Sequence, residues 1–186
     1  MINYRNYSDK ELIETVYKSN DESKSIAFSE LYNRYSYNIF HYCRKIFGEG
    51  NFAKDVFQDS FLNLLKSIES GIQISNVKGF LLKTARNLSL NHRRNEKVQL
   101  IEFEDFHSIF NENDLENKEL ELMIETALEL LPEEHKEAFI LQVFEELSYQ
   151  EISELIEVPI STVRNRVVRA KSKLREILTP YLEYSR

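Results

Sequence analysis

The chain has 186 residues, of which 42% are hydrophobic and 30% charged, with only four glycines and three prolines. This composition excludes a low-complexity or collagen-like chain, and it favours helices because Glu, Lys and Leu lose little rotamer freedom in a helix. The net charge of −7 argues against a uniformly basic surface for nucleic acid.

A single cysteine, Cys43, and four scattered histidines bear on cofactors and compartment. One cysteine cannot form an intrachain disulfide, and the spacing of cysteine and histidine matches no zinc motif. The first ten residues lack the basic and apolar regions of a signal peptide, and no apolar run is long enough to span a bilayer. We therefore expect a cytoplasmic protein with no metal, no cofactor and no membrane insertion.

The charge is divided unevenly along the chain. Residues 83–97 carry five Lys or Arg against one Glu, a net charge of +4, and residues 161–178 carry six against one, a net charge of +5. Between these basic segments, residues 98–146 hold fifteen Asp or Glu against two Lys, a net charge of −13. Two separate sites for an anionic polymer such as nucleic acid are therefore compatible with the acidic total.

Three helices are predicted in the first seventy residues. Ser8–Glu11 has the sequence of a capping box and precedes apolar residues, which predicts the start of a short first helix. Apolar residues at helical spacing over 28–46, ended by Gly48 and Gly50, predict a long second helix. The same spacing over 53–68 predicts a third.

A fourth helix is predicted from a stripe at helical spacing that consists of Val77, Phe80, Leu81, Thr84, Ala85 and Leu88. Polar and cationic side chains occupy its other face: Lys83, Arg86, Asn87, Asn91 and Arg94. The four helices form a predicted N-terminal domain over residues 1–97. Residues 98–116 show no helical period and are rich in carboxylates, so we predict an acidic linker over 98–118.

Helical spacing resumes at Leu120 and predicts a second helical domain over residues 119–186. Pro132 is expected in the first turn of a helix, where its missing N–H has no consequence. Ser148–Glu151 is a second capping box, and a short break at 157–159 separates that helix from a basic one. The predicted fold is therefore all-α, with two small helical domains, the second of them containing a helix-turn-helix.

The apolar and the polar residues of the basic helix lie on different faces. Val163, Val167, Ala170 and Leu174 form its apolar stripe. The residues off the stripe are of the kinds that read bases and bind phosphates: Ser161, Thr162, Arg164, Asn165 and Arg169. A solvated basic helix in a bundle is the alternative. Glu157 stands where many such turns use Gly, and Pro159 stands where a Ser or Asp cap is expected.

Five strings carry a combined family resemblance. They are Leu131–Phe139 (LPEEHKEAF), Leu147–Ile152 (LSYQEI), Ser161–Arg166 (STVRNR), Ala53–Phe61 (AKDVFQDSF) and Gly79–Leu88 (GFLLKTARNL). The first three together resemble the C-terminal promoter-binding domain of extracytoplasmic-function sigma factors, a minimal branch of the sigma-70 superfamily. The fourth resembles the polymerase-binding helix of that family, and the fifth resembles its helix for the promoter −10 element.

The resemblance implies roles for residues in the first domain. Asp55, Gln58 and Asp59 would dock on the bacterial RNA polymerase core, and the alternative is a solvated acidic face. An unstacked base and the phosphates of the −10 element would be bound by six residues: Lys83, Arg86, Asn87, Asn91, Arg93 and Arg94. Asn87 has an alternative as a helix-stabilising polar contact inside the domain.

The implied function is that of a promoter-specific initiation subunit that catalyses no reaction itself. The basic helix of the second domain would then read the −35 element. Its partners would be the polymerase core, promoter DNA and an anti-sigma factor. The alternative is a stand-alone helix-turn-helix regulator whose N-terminal domain senses a ligand or a partner. A nucleic-acid-modifying enzyme lacks a catalytic constellation in this sequence, so we expect no catalytic residue.

Overall fold

The computed structural model describes residues 4–19, 21–48, 50–95 and 115–184. In these ranges the chain forms one short 3-10 helix, Tyr4–Asn6, and α-helices but no strands. The α-helices are α1 (Asp9–Lys18), α2 (Asp21–Phe47), α3 (Asn51–Glu69), α4 (Val77–Asn95), α5 (Leu115–Glu129), α6 (Glu133–Val143), α7 (Tyr149–Ile156) and α8 (Ile160–Tyr184). The all-α prediction is confirmed.

The chain divides into two compact units, one within residues 1–102 and the other within residues 103–186. Helix α5 begins at Leu115, so the last four residues of the predicted linker are helical. The rest of that linker lies outside the described residues, and the domain boundaries stay a prediction.

The first unit begins with a capped helix. The hydroxyl oxygen of Ser8 accepts a hydrogen bond from the Glu11 backbone N–H at 3.3 Å, and the Glu11 carboxylate accepts one from the Ser8 N–H at 2.7 Å. The hydrogen bonds from Ser8 lower the pKa of the Glu11 carboxyl. The predicted capping box is therefore present, and it satisfies N–H groups that a helix start leaves without a partner.

A partly buried arginine of α2 holds the chain ahead of α1 in place. The Arg34 guanidinium donates to the Tyr7 carbonyl at 2.7 Å and the Arg5 carbonyl at 3.1 Å, and it pairs with the Asp9 carboxylate at 3.0 Å. The Tyr35 hydroxyl donates to the same carboxylate. Partial burial and this hydrogen bond raise the pKa of Tyr35. The Arg34 guanidinium thus provides hydrogen-bond donors for the backbone carbonyls of Arg5 and Tyr7.

Helices α1 to α4 bury a common apolar core. Its fully buried large side chains are Leu12, Leu31, Ile39, Tyr42, Leu64, Ile68, Leu81 and Leu82. Leu82 lies outside the stripe that we predict for α4, whereas Phe80 and Leu88 of that stripe are only half-buried. The predicted stripe was therefore wrong in detail, because α4 packs against both α2 and α3 and buries a wider face than one neighbour would require.

The turn between α3 and α4 begins directly after Glu69, the last residue of α3. Gly71 has a φ of +77°, the left-handed conformation that glycine adopts without a Cβ clash. The Asn76 side-chain oxygen then accepts the Gly79 N–H at 2.8 Å and caps the start of α4. The loop that joins these two ends is mostly exposed.

The second unit packs α5, α6 and α7 against α8. Ala127, Leu128 and Leu131 form a buried cluster with Ala170 and Leu174 of α8. Pro132 precedes α6 as its N-cap residue, so the prediction that it lies in the first helical turn was wrong by one position. Its carbonyl accepts the N–H groups of the third and fourth residues that follow, both at 2.9 Å, and its fixed φ suits that position.

The helix-turn-helix is present in α7 and α8. Glu157 ends α7 in the left-handed conformation, with a φ of 59°, where many such turns place glycine. The Pro159 carbonyl accepts the N–H groups of Thr162 at 2.9 Å and Val163 at 3.1 Å, so the Thr162 N–H, which a side-chain cap would bind, has a backbone acceptor instead. The Ser153 hydroxyl donates to the Val158 carbonyl at 2.6 Å. The turn therefore forms without the residues usually expected there.

Candidate nucleic-acid and protein interfaces

The first candidate interface is the exposed face of the N-terminal half of α8. The four residues of the apolar stripe, Val163, Val167, Ala170 and Leu174, are all buried. Ser161, Arg164, Asn165 and Arg169 are exposed, and Thr162 is half-buried. The helix thus buries one side in its own unit and presents polar and cationic groups on the other. We call these five predicted residues the α8 face.

Tyr149 of α7 contributes to the same region. The Arg164 guanidinium carbon lies over the Tyr149 ring, 5.9 Å from its centroid, which is a cation–π contact. Tyr149 was missed by the sequence analysis because it lies in the other helix of the motif. No local signal relates Tyr149 to Arg164, because the two residues are fifteen positions apart and lie in different helices.

Arg166 has a different role from its neighbours. It is half-buried, and its guanidinium donates to the Glu134 carboxylate of α6. A carboxylate that occupies the planar donors of an arginine removes them from contact with a ligand. Arg166 therefore links α8 to α6.

Val168 is a second residue of this region that the sequence analysis missed. Its side chain is 58% exposed, although it is apolar and lies between Arg164 and Arg169 in the sequence. Helical geometry puts it one turn from Arg164, beside the α8 face. The signal was a valine outside the apolar stripe. An exposed aliphatic group beside arginine and asparagine has the character that can contact the methyl group of thymine.

The second candidate interface is the polar face of α4. Lys83, Asn87 and Asn91 are exposed, and Arg86 is half-buried. The two amides are one turn apart and share a face, as predicted. The side chains of Arg93 and Arg94 lie outside the described residues. Leu90 lies between the two amides in the sequence and is 41% exposed, which gives this region an apolar element that the sequence analysis did not include.

The third candidate interface is the acidic face of α3. Asp55, Gln58 and Asp59 are all exposed. Val56, which follows Asp55, and Ser60, which follows Asp59, are buried on the other side of the helix. We call the three exposed residues the acidic face. One turn further along the helix is Leu62, which is 51% exposed. A carboxylate pair beside an exposed apolar side chain is a composition that suits a protein interface with a basic partner.

The described part of the chain offers neither a metal centre nor a membrane span. No group of three or more His, Cys, Asp or Glu side chains there is arranged to hold a metal ion. No helix in the same ranges is long and apolar enough to cross a bilayer. Cys43 is buried in the first unit.

Two family models match the chain in the order of its two units. The model described as Sigma-70 region 2 matches residues 31–98, and the model described as Sigma-70, region 4 matches residues 121–174. The first match contains the acidic face and the polar face of α4, and the second contains the helix-turn-helix. Together the two matches span well over half of the chain.

Curated relatives match nearly the whole chain. The ECF RNA polymerase sigma-E factor of Haemophilus influenzae is 28% identical over 94% of this chain and 97% of the relative. The protein of the same name from Escherichia coli K12 is 29% identical over 94% of this chain and 96% of the relative.

Two solved structures share the fold. The sigma factor RpoE in complex with the anti-sigma factor NepR, from Bartonella quintana, has a TM-score of 0.66 and 22% identity, and the match covers 82% of this chain and 96% of that one. CnrH in complex with the cytosolic domain of CnrY has a TM-score of 0.65 and 18% identity, and the match covers 92% and 97%.

Proposed function

Because this chain belongs to the sigma-70 family, as a promoter-specific RNA polymerase sigma factor of the extracytoplasmic-function branch, we propose a separate role for each of its three exposed faces. Two faces bind the promoter, and the third binds the polymerase core. The alternative of a stand-alone regulator is not favoured, since both sigma-70 regions are present and in order. We further propose that the protein acts in the cytoplasm and leaves all catalysis to the polymerase.

The α8 face is assigned to the −35 element. The observation that carries this assignment is the separation of residues on α8, with four aliphatic residues buried and Ser161, Arg164, Asn165 and Arg169 exposed. A recognition helix contacts base edges of the major groove with residues near its start. Arginine can form two hydrogen bonds with a guanine, and asparagine can do so with an adenine.

The polar face of α4 is assigned to the −10 element. Capture of an unstacked base requires amide groups for its edges, which Asn87 and Asn91 provide, and cations for the phosphates, which Lys83 and Arg86 provide. Arg93 and Arg94 belong to the same proposal by their place in the sequence. Exposed Leu90 adds an apolar surface against which a base can lie.

The acidic face of α3 is assigned to the RNA polymerase core. Asp55 and Asp59 are exposed one turn apart and present two negative charges to a basic partner. A further partner is proposed from the two similar structures, in which RpoE is bound to an anti-sigma factor and CnrH to the cytosolic domain of CnrY. An inhibitor of that kind would restrain this chain until a signal releases it.

The −35 assignment is tested by Arg164→Ala and Arg169→Ala in run-off transcription with core polymerase. Loss of a bidentate base contact costs about 1–3 kcal/mol, so promoter use should fall while binding to core stays unchanged. Lys173→Ala is the matched control, because Lys173 is an exposed cation of the same helix that pairs with Glu176 at 3.0 Å. Unchanged promoter use in both arginine variants would contradict the assignment.

A further inference from the structure

The contact between Arg164 and Tyr149 joins the two helices of the helix-turn-helix. Arg164 lies in the second turn of α8 and is exposed, whereas Tyr149 is the first residue of α7 and is half-buried. The Arg164 guanidinium carbon lies 5.9 Å from the centre of the Tyr149 ring. An arginine that is assigned to base recognition is therefore in contact with a ring from outside its own helix.

The ring has a well-defined place relative to α8. The Ser148 hydroxyl accepts a hydrogen bond from the Glu151 N–H at 3.2 Å, and the Glu151 carboxylate accepts one from the Ser148 N–H at 2.8 Å. This capping box spans Tyr149 and fixes its backbone. Four residues further along α7, the Ser153 hydroxyl donates to the Val158 carbonyl and connects the helix to the turn that follows it. Two χ angles then set the ring position.

A ring contact leaves the hydrogen-bonding capacity of arginine intact. The attraction of a cation to an aromatic ring acts through the ring face, whereas the five N–H donors of a guanidinium lie in its plane and point outward. Arg164 can therefore keep its contact with Tyr149 while it donates to two acceptors of a guanine. Arg166 shows the contrasting case, since its guanidinium is engaged by the Glu134 carboxylate.

We propose that Tyr149 is a positioning residue that orders Arg164 for readout of one base pair of the −35 element. The proposal rests on the assignment of the α8 face to that element. A free arginine loses much of its rotamer freedom when it binds a base, which lowers affinity. Contact with the Tyr149 ring restricts the side chain before DNA arrives, so less freedom is lost on binding, and the guanidinium is directed to one position in the groove.

The test measures base preference in the full-length protein assembled with core polymerase. The probe is a library of promoter duplexes in which the −35 element is randomised. Tyr149→Ala should weaken binding to the preferred sequence about two- to fivefold and flatten the preference only at the position that Arg164→Ala also flattens. Tyr149→Phe should retain that preference, because the ring remains while the hydroxyl is lost.

A double-mutant cycle separates positioning from general stabilisation of the turn. Tyr149→Ala should have no further effect in the Arg164→Ala background, whereas it should keep its full effect in the Arg169→Ala background. Circular dichroism of each variant confirms that the helices are intact. A merely structural role would weaken binding equally in both backgrounds and would leave base preference unchanged.

Several results would overturn the proposal. An equal loss in both backgrounds would show that Tyr149 does not act through Arg164, and a Tyr149→Phe variant as impaired as Tyr149→Ala would show that the hydroxyl matters instead of the ring. If Arg164→Ala itself leaves base preference unchanged, the −35 assignment fails first. The single arginine variant therefore distinguishes failure of the proposed function from failure of this inference.

Discussion

At the scale of single residues, Glu157 shows how the helix-turn-helix tolerates an unfavourable side chain. It adopts a φ of 59° and a ψ of 45° at the end of α7. A side chain in this left-handed conformation costs roughly 1–2 kcal/mol, because Cβ approaches the following carbonyl oxygen. The hydrogen bond from the Glu157 backbone N–H to the Ser153 carbonyl and the burial of Val163 on the next helix hold the turn in place.

Substitution Glu157→Gly should therefore stabilise the second unit. We expect the free energy of unfolding to rise by about 0.5–1 kcal/mol, because glycine removes the left-handed strain. Glu154→Gly, inside the same helix, is the matched control and should lower that free energy by about 1 kcal/mol. Thermal unfolding followed by circular dichroism measures both. A lower midpoint for Glu157→Gly would show that other contacts of the Glu157 side chain outweigh the strain.

Val168 offers a test of base contact at a single methyl group. We expect replacement of one −35 thymine by uracil, which lacks the methyl group, to weaken wild-type binding about three- to fivefold. The Val168→Ala variant should be insensitive to the same replacement, since it lacks the contact. Fluorescence anisotropy of the holoenzyme on each duplex gives the comparison. Equal losses for wild type and variant at every thymine would remove Val168 from the DNA contact.

At the scale of helices, an exposed aliphatic side chain accompanies each of the three candidate faces. Leu62, Leu90 and Val168 lie outside the stripes that their helices bury. An apolar residue outside a stripe can be exposed, as these three are, or covered by a second neighbouring helix, as Leu82 is, and periodicity alone does not separate the two cases. Only the packing of each helix shows which apolar residues remain accessible.

The acidic face of α3 is tested by reversing both of its charges. The double variant Asp55→Lys and Asp59→Lys should slow association with core polymerase by about tenfold at low salt and reduce the salt dependence of that rate, because a basic partner is no longer attracted. Glu14→Lys with Glu22→Lys is the matched control, since both residues are exposed in the same unit. Stopped-flow association kinetics provide the measurement. Equal rates for the two double variants and wild type would exclude the face from the interface.

At the scale of the whole molecule, the acidic segment between the two basic ones bears on DNA binding. Residues 98–114 carry five carboxylates and no Lys or Arg. Charges influence one another within about a Debye length, which is roughly 8 Å at physiological salt. The effect requires a compact free state that brings these carboxylates within that distance of the basic faces. In that state we expect the free protein to bind promoter DNA poorly, and to bind it well once core polymerase draws the segment away.

Neutralisation of the five carboxylates tests this expectation in the full-length protein. The substitutions are Glu102→Gln, Glu104→Gln, Asp105→Asn, Glu112→Gln and Asp114→Asn. Affinity of the free protein for a promoter duplex should rise on the order of tenfold at low salt. The difference should vanish near about 1 M salt, where the Debye length falls to roughly 3 Å. If affinity at low salt does not change, the segment serves solubility or another partner.

Local sequence was sufficient to predict most of the architecture. Both capping boxes, Ser8–Glu11 and Ser148–Glu151, form as predicted because each depends on groups only three residues apart. The stripe from Val163 to Leu174 is buried as predicted because helical spacing places those residues on one side of the helix. The exposed residues of the α8 face follow from the same spacing.

Contacts between residues distant in the sequence were decided only by tertiary structure. The carbonyls of Arg5 and Tyr7 lie far along the chain from Arg34, so no local pattern relates these groups. The same separation applies to Arg166 and Glu134, which belong to different helices. Each of these contacts forms because the fold brings together surfaces that the chain keeps apart.

Packing between helices decided the remaining features. The burial of Leu82 depends on the two helices that meet α4, and the ring of Tyr149 reaches Arg164 only because the turn at Glu157 brings α7 and α8 together. Helical periodicity is a property of neighbouring residues, whereas partner choice between helices depends on which surfaces the whole fold brings into contact.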